Sequence, residues 1–134
     1  MTYIIAGATG VTGSAIAKDL SKSESVHLIG RNETSLKALA EETGSTYSLI
    51  DIENPIPTKD FQKTVEFDEI KGLINCIGSI YLRPLHGSNI EDFHSVINTN
   101  LFSSYYLLSA FARKMKNGSA LFFFSVAGAK GFSN

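Results

Sequence analysis

Apolar residues gather along the chain in short, nearly unbroken runs: "YIIA", "VHLI", "TYSLI", "GLINCI" and "ALFFFS". A strand with one wet face alternates apolar and polar residues. Runs without that alternation predict strands covered on both sides, as in a parallel sheet between two helix layers. The segments between the runs carry a helical period instead. In "VTGSAIAKDLSKS", Ile16 and Leu20 share a face that Lys18 and Asp19 avoid. In "NETSLKALAEETG", Leu36, Leu39 and Ala40 form a buried stripe, with Asn32 as N-cap and Gly44 as the stop. The stretch "NPIPTKDFQKTVEFDEIK" opens on two prolines and predicts one short helix. The order of elements predicts an α/β fold, a doubly wound parallel sheet of about five strands with helices on both faces.

The longest helix is predicted over residues 90–116. Ser88 or Asn89 caps it, and Glu91 and Asp92 sit in its positive first turn. Ile90, Phe93, Ile97, Leu101, Tyr105, Leu108, Ala112 and Met115 recur at helical spacing, and Lys114, Lys116 and Gly118 close it. Phe102, Tyr106, Leu107 and Phe111 make its second half apolar on nearly every side. Such a helix needs cover on two faces, from its own sheet and from a later segment or another subunit. A homo-oligomer built through this helix is the corresponding expectation.

At 134 residues and 43% hydrophobic content, the chain suits one compact domain. Charged residues make up 19% and the formal net charge is -1, which speaks against nucleic acid or anionic lipid as partner. No secretory leader opens the chain, and no apolar run approaches the roughly 18 residues of a membrane span. A cytoplasmic protein is expected. The single cysteine, Cys76, lies in an apolar run and reads as core packing. His27, His86 and His94 are scattered without a cysteine or carboxylate cluster, so no metal site is expected.

Chemistry first shows in "YIIAGATGVTGSAI", where Gly7, Gly10 and Gly13 stand between a strand and a helix. One glycine permits the tight turn, one lets backbone N–H groups approach a pyrophosphate, and one lets helix and strand pack closely. The helix N-terminus then offers unpaired donors and the positive end of its dipole to the anion. Gly7, Thr9, Gly10, Val11, Thr12 and Gly13 form the expected phosphate-binding set.

"AGATGVTG", followed in order by "IGRN", "DIEN", "INCIG", "NTNLFSSYYL" and "FFFSVAG", resembles the short-chain dehydrogenase/reductase family across essentially the whole chain. The resemblance implies a Rossmann-like NAD(P)-binding domain over residues 1–134, the N-terminal part of a longer single-domain oxidoreductase. The glycine spacing is closer to that of the extended and atypical branches, with Val11 where the commonest pattern has glycine. A carboxylate about 20 residues beyond the turn would select NAD, and an arginine there NADP. This chain has Arg31 in "LIGRNE", which favours NADP over NAD, with Glu33 close enough to compete. By the same resemblance Asp51 and Ile52 border the adenine, Asn75 helps hold the sheet, and Gly78 makes room for the cofactor.

In that family the position of Ser125 hydrogen-bonds the substrate carbonyl, and the position of Asn100 supports a proton-relay water. Hydride transfer between nicotinamide and a carbonyl or alcohol requires both the oxygen and its proton to be held in place. The family's acid/base is a tyrosine followed four residues later by a lysine. None of Tyr3, Tyr47, Tyr81, Tyr105 or Tyr106 has lysine at that interval, so turnover by residues 1–134 alone is doubtful. "LFFFS" without a following strand is expected to form an exposed hydrophobic edge and to leave the isolated chain marginally soluble. Two classes of function therefore stand at this point. One is a short-chain oxidoreductase acting on a small carbonyl or alcohol. The other is a non-catalytic NADP-binding or sensor module that pairs with another chain.

Overall fold

The computed structural model describes residues 1–52, 67 and 69–126. The apolar runs become five strands: β1 (Thr2–Ala6), β2 (Ser25–Gly30), β3 (Thr46–Leu49), β4 (Ile70–Asn75) and β5 (Ser119–Phe122). All pair in parallel, in the order β3-β2-β1-β4-β5. The chain leaves β1 for one side of the sheet, then returns to β1's other side with β4. The crevice at the C-terminal ends of β1 and β4 is therefore the topological switch point, where sheets of this type bind ligands.

Successive side chains of a strand point to opposite faces, and both faces here are packed. Ile5, Val26 and Leu28 meet Ala17 of α1 (Val11–Leu20) and Leu36, Leu39 and Ala40 of α2 (Glu33–Thr43). On the opposite face Ile4, Ala6, Ile29, Ile70 and Leu73 meet Leu107, Ala110 and Phe111 of a second helical layer. Double coverage accounts for the unbroken apolar runs of β1, β2 and β4. The outer strands β3 and β5 are largely exposed, and half-exposed Leu121 stands on the β5 edge.

α2 is bounded as its sequence predicts: Asn32 Oδ1 accepts from the Ser35 amide at 2.9 Å, and Gly44 ends it at a φ of 64°. The short helix expected in "NPIPTKDFQKTVEFDEIK" falls mostly outside the described residues.

The long helix differs from its sequence expectation. It is α-helical as α3 (Ile90–Ile97), passes through a π-helical turn over Asn98–Phe102, resumes as α4 (Ser103–Phe111) and ends in a 3-10 turn, Ala112–Lys114. Asn89, rather than Ser88, caps it, accepting from the Asp92 amide at 2.7 Å. The residues buried on the sheet side are Thr99, Ser103, Leu107, Ala110 and Phe111. The row Ile90, Phe93, Leu101 and Tyr105 faces away, each residue more than half exposed. Small side chains at 99 and 103 let the helix come close to the end of β4. β5 is also shorter than its apolar run, so Ser125 lies beyond the strand rather than at its last residue.

His27 is the polar insertion in this core. Its Nδ1 lies 2.7 Å from Thr46 Oγ1 and its Nε2 3.0 Å from Ser48 Oγ, so β2 and β3 are tied by side chains as well as by their ladder. Burial lowers its pKa from 6.5 to about 4, because the charged ring would lose its water.

Candidate functional site

The turn from β1 to α1 is built on three glycines with different duties. Gly7 has a φ of 72°, and a Cβ there would stand 2.9 Å from the Cys76 carbonyl carbon. A Cβ at Gly13 would lie 2.3 Å from the Gly7 carbonyl oxygen. The fold itself requires these two. Gly10 has only the Gly7 oxygen near its missing Cβ, at 3.4 Å, and it lines an open cleft. Gly10 is also the N-cap of α1, with no side chain to bond the first-turn amides and no acidic residue in that turn. α2 and α3 spend a side-chain oxygen there; α1 keeps its amides and the positive end of its dipole for an anion.

Two clefts open on either side of this turn. The first, of about 250 Å³, is bounded by Gly7, Thr9 and Gly10, by Gly30 and Arg31 at the end of β2, by Ile50, Asp51 and Ile52 after β3, and by Cys76–Ser79 and Thr99. The second, of about 720 Å³, is bounded by Thr12, Asn75, Asn100, Ser104, Phe122, Phe123, Phe124 and Ser125. Cys76, Ile77 and Gly78 form a wall common to both.

Side-chain hydrogen bonds hold that wall. Asn75, buried at the end of β4, donates to Ser104 Oγ at 3.0 Å and accepts from the Ile77 amide at 3.0 Å. The sheet-holding duty expected of Asn75 is thus directed at α4, which it fastens to β4. Asn100, carried by the π-helical turn, accepts from the Ser79 amide at 3.0 Å and donates to the Ser79 and Val96 carbonyl oxygens, each at 3.0 Å. Its carboxamide is spent on the backbone, so any part it plays beside a reacting group is that of a positioning residue. One residue pair further along, Tyr81 donates to Asp92. That bond pushes the Tyr81 pKa up, away from acid/base work near neutrality. Burial likewise raises the pKa of the Cys76 thiol, which stays protonated.

Most of the residues singled out from the sequence come together here. Gly7, Thr9, Gly10, Arg31, Asp51, Ile52 and Gly78 line the first cleft; Thr12, Asn75, Gly78, Asn100 and Ser125 line the second. Two do not take part in this way. Val11 points to solvent at 91% exposure, and Gly13 is buried behind the turn. Thr99, Ser79, Ser104 and the three phenylalanines escaped sequence reasoning. They reach the clefts through the π-helical turn and the sheet order, which leave no local signature.

A family model described as short chain dehydrogenase matches residues 1–134. The chain belongs to that family. This short chain dehydrogenase is similar to an uncharacterized oxidoreductase of Staphylococcus epidermidis, 26% identical over 133 residues, covering 93% of this chain and 58% of the relative. It is 29% identical over 140 residues to a tropinone reductase homolog of Arabidopsis thaliana, covering 96% of this chain and 54% of the relative. An NADP-dependent 3-hydroxy acid dehydrogenase of Salmonella typhi is 27% identical over 106 residues, covering 75% of this chain and 43% of the relative. Among solved structures, the serine dehydrogenase from Escherichia coli superposes with a TM-score of 0.89 at 23% identity, covering 99% of this chain and 66% of that one. The short chain dehydrogenase described here thus spans about half the length of the curated relatives it matches.

Membership implies a nicotinamide cofactor, NAD or NADP, and the residues present fit one. The uncapped amides of α1 and the open side of Gly10 suit a pyrophosphate, and Arg31 and Asp51 stand where an adenosine ribose would reach. Among the described residues there is no group of metal-ligating side chains, and no helix is long and apolar enough to cross a membrane.

Proposed function

We propose that this chain carries the NADP-binding half of a cytoplasmic short-chain oxidoreductase, with the serine side of a site for hydride transfer to a carbonyl or from an alcohol. The observation that carries the reading is the common wall: the cleft suited to adenosine and phosphates continues past Gly78 into a cavity lined by both Asn100 and Ser125. When bound, the nicotinamide supplies or accepts the hydride. The chain's own residues do the rest. The amides of the first turn of α1 hold the phosphates. Asn100 fixes Ser79 and so the wall against which the ring would lie. Ser125 offers a hydroxyl to the substrate oxygen, holding it while its proton is gained or lost.

Arg31 supports NADP over NAD. Neither Asn32, whose side chain caps α2, nor Glu33, in the first turn of α2, lines the first cleft, whereas Arg31 does. A guanidinium there meets a 2′-phosphate with a bidentate fork. The exposed apolar row of the long helix supports pairing with a second copy of the chain.

Titration with NADPH and NADH, followed by nicotinamide fluorescence, tests the proposal. NADPH is expected to bind the tighter, and Arg31→Asp to erase or reverse the preference. Negligible binding of both nucleotides by a folded chain overturns it.

A further inference from the structure

Three consecutive phenylalanines precede Ser125, and all three line the second cavity. Phe122 belongs to β5 and is half-buried, as a strand residue facing the core should be. Phe123 and Phe124 lie beyond the strand, 54% and 92% exposed, so they contribute little to the core. Two large aromatic faces flank a cavity of about 720 Å³, within the range of small-molecule sites.

The polar residues of the same cavity point to the complementary conclusion. No charged side chain stands among its described lining residues. The two carboxamides are committed to the protein: Asn75 to Ser104 and the Ile77 amide, Asn100 to Ser79 and Val96. The Cys76 thiol is held neutral by burial. A carboxylate or phosphate brought into such a cavity loses its water without gaining a cation, whereas an apolar ring gains contact area. Phenylalanine faces favour offset or edge-on partners, which rings supply better than short polar chains.

We infer that the substrate of this site is a neutral, ring-bearing ketone, aldehyde or alcohol, its ring held by Phe123 and Phe124 and its oxygen turned toward Ser125. This rests on the reading of the second cavity as the hydride-transfer site. It goes further in excluding hydroxy acids, amino acids and phosphorylated sugars as preferred substrates.

The test uses the chain loaded with NADP⁺, so that an added ketone forms a complex without turnover. Ligand-observed NMR then gives dissociation constants for benzylacetone, a neutral aryl ketone, and for acetoacetate, a ketone carrying a carboxylate. Benzylacetone is expected to bind at least about tenfold more tightly, the scale of discrimination that an apolar pocket provides. Phe124→Ala should remove most of that advantage and Phe124→Tyr should keep it; the exposure of Phe124 lets both variants fold. Equal affinity for the two ketones, or benzylacetone binding indifferent to both Phe124→Ala and Phe123→Ala, overturns the inference while leaving the cofactor reading intact. Failure of NADP⁺ itself to bind is seen first and separately, and overturns both.

Discussion

The two sides of the switch point hold their cleft walls by different means. On the β1–α1–β2 side the ligand-facing surface is main chain, shaped by steric necessity: Gly7 against the Cys76 carbonyl, Gly13 against the Gly7 oxygen, and aliphatic packing beneath. On the β4–α4–β5 side the surface is held by side chains, with Asn75, Asn100, Ser79 and Ser104 forming the frame. Phosphates are alike in every dinucleotide, so a rigid backbone cradle suits them. A reacting carbonyl must be oriented, and side-chain hydrogen bonds give direction.

The sharpest way to break this comparison is at the glycines. Gly13→Ala forces a methyl group to 2.3 Å from the Gly7 oxygen, where only backbone could yield. A loss of about 3 kcal/mol is expected from overpacking, read from urea midpoints. Gly10→Ala should change stability by less than about 0.5 kcal/mol and instead weaken NADPH binding. If the two substitutions act alike, the division of labour among the glycines is wrong.

Acid should loosen the first side before the second. The His27 pKa is depressed to about 4 from 6.5, so the unfolded chain takes up a proton that the native core refuses. The resulting stability is complete above pH 6.5 and is lost as pH falls toward 4, amounting to about 3 kcal/mol. Urea midpoints measured from pH 7.5 down to pH 4 should drop over that interval and flatten below it. In His27→Gln that part of the pH dependence should vanish.

On the second side, Asn75→Ala strips partners from Ser104 and the Ile77 amide and should cost about 2 kcal/mol. Asn75→Asp, which keeps the acceptor for Ile77 and loses the donor to Ser104, should fall between wild type and alanine. The smallest effect belongs to the surface. Asn32→Ala removes the cap of α2 and should cost about 1 kcal/mol, with Asn32→Asp restoring it.

The first side was legible in the sequence almost to the residue. Asn32 and Gly44 bound α2 because a cap and a left-handed stop are local chemistry, and the glycine turn is likewise written in one short segment. The long helix was not legible in the same way. With both of its faces apolar, periodicity could not say which meets the sheet, and a π-helical turn shifts the register without any residue that announces it. Thr99 and Ser103, which the sequence offers as ordinary polar residues, are buried because the helix comes close to the sheet there. Asn100 could be placed in the site, but the commitment of its carboxamide to Ser79 depends on a contact between residues 21 positions apart.

One stretch of backbone, Cys76 to Gly78, serves as the partition between two compartments. Enlarging a side chain there intrudes on both at once; at Gly78 an added methyl would already crowd the Asn100 carboxamide at 3.3 Å. The outer ends carry no such double duty. Arg31 and Asp51 border one compartment, Phe123 and Phe124 the other. Engineering of nucleotide choice and of substrate choice can therefore proceed as two separate projects, provided the partition between them is left untouched.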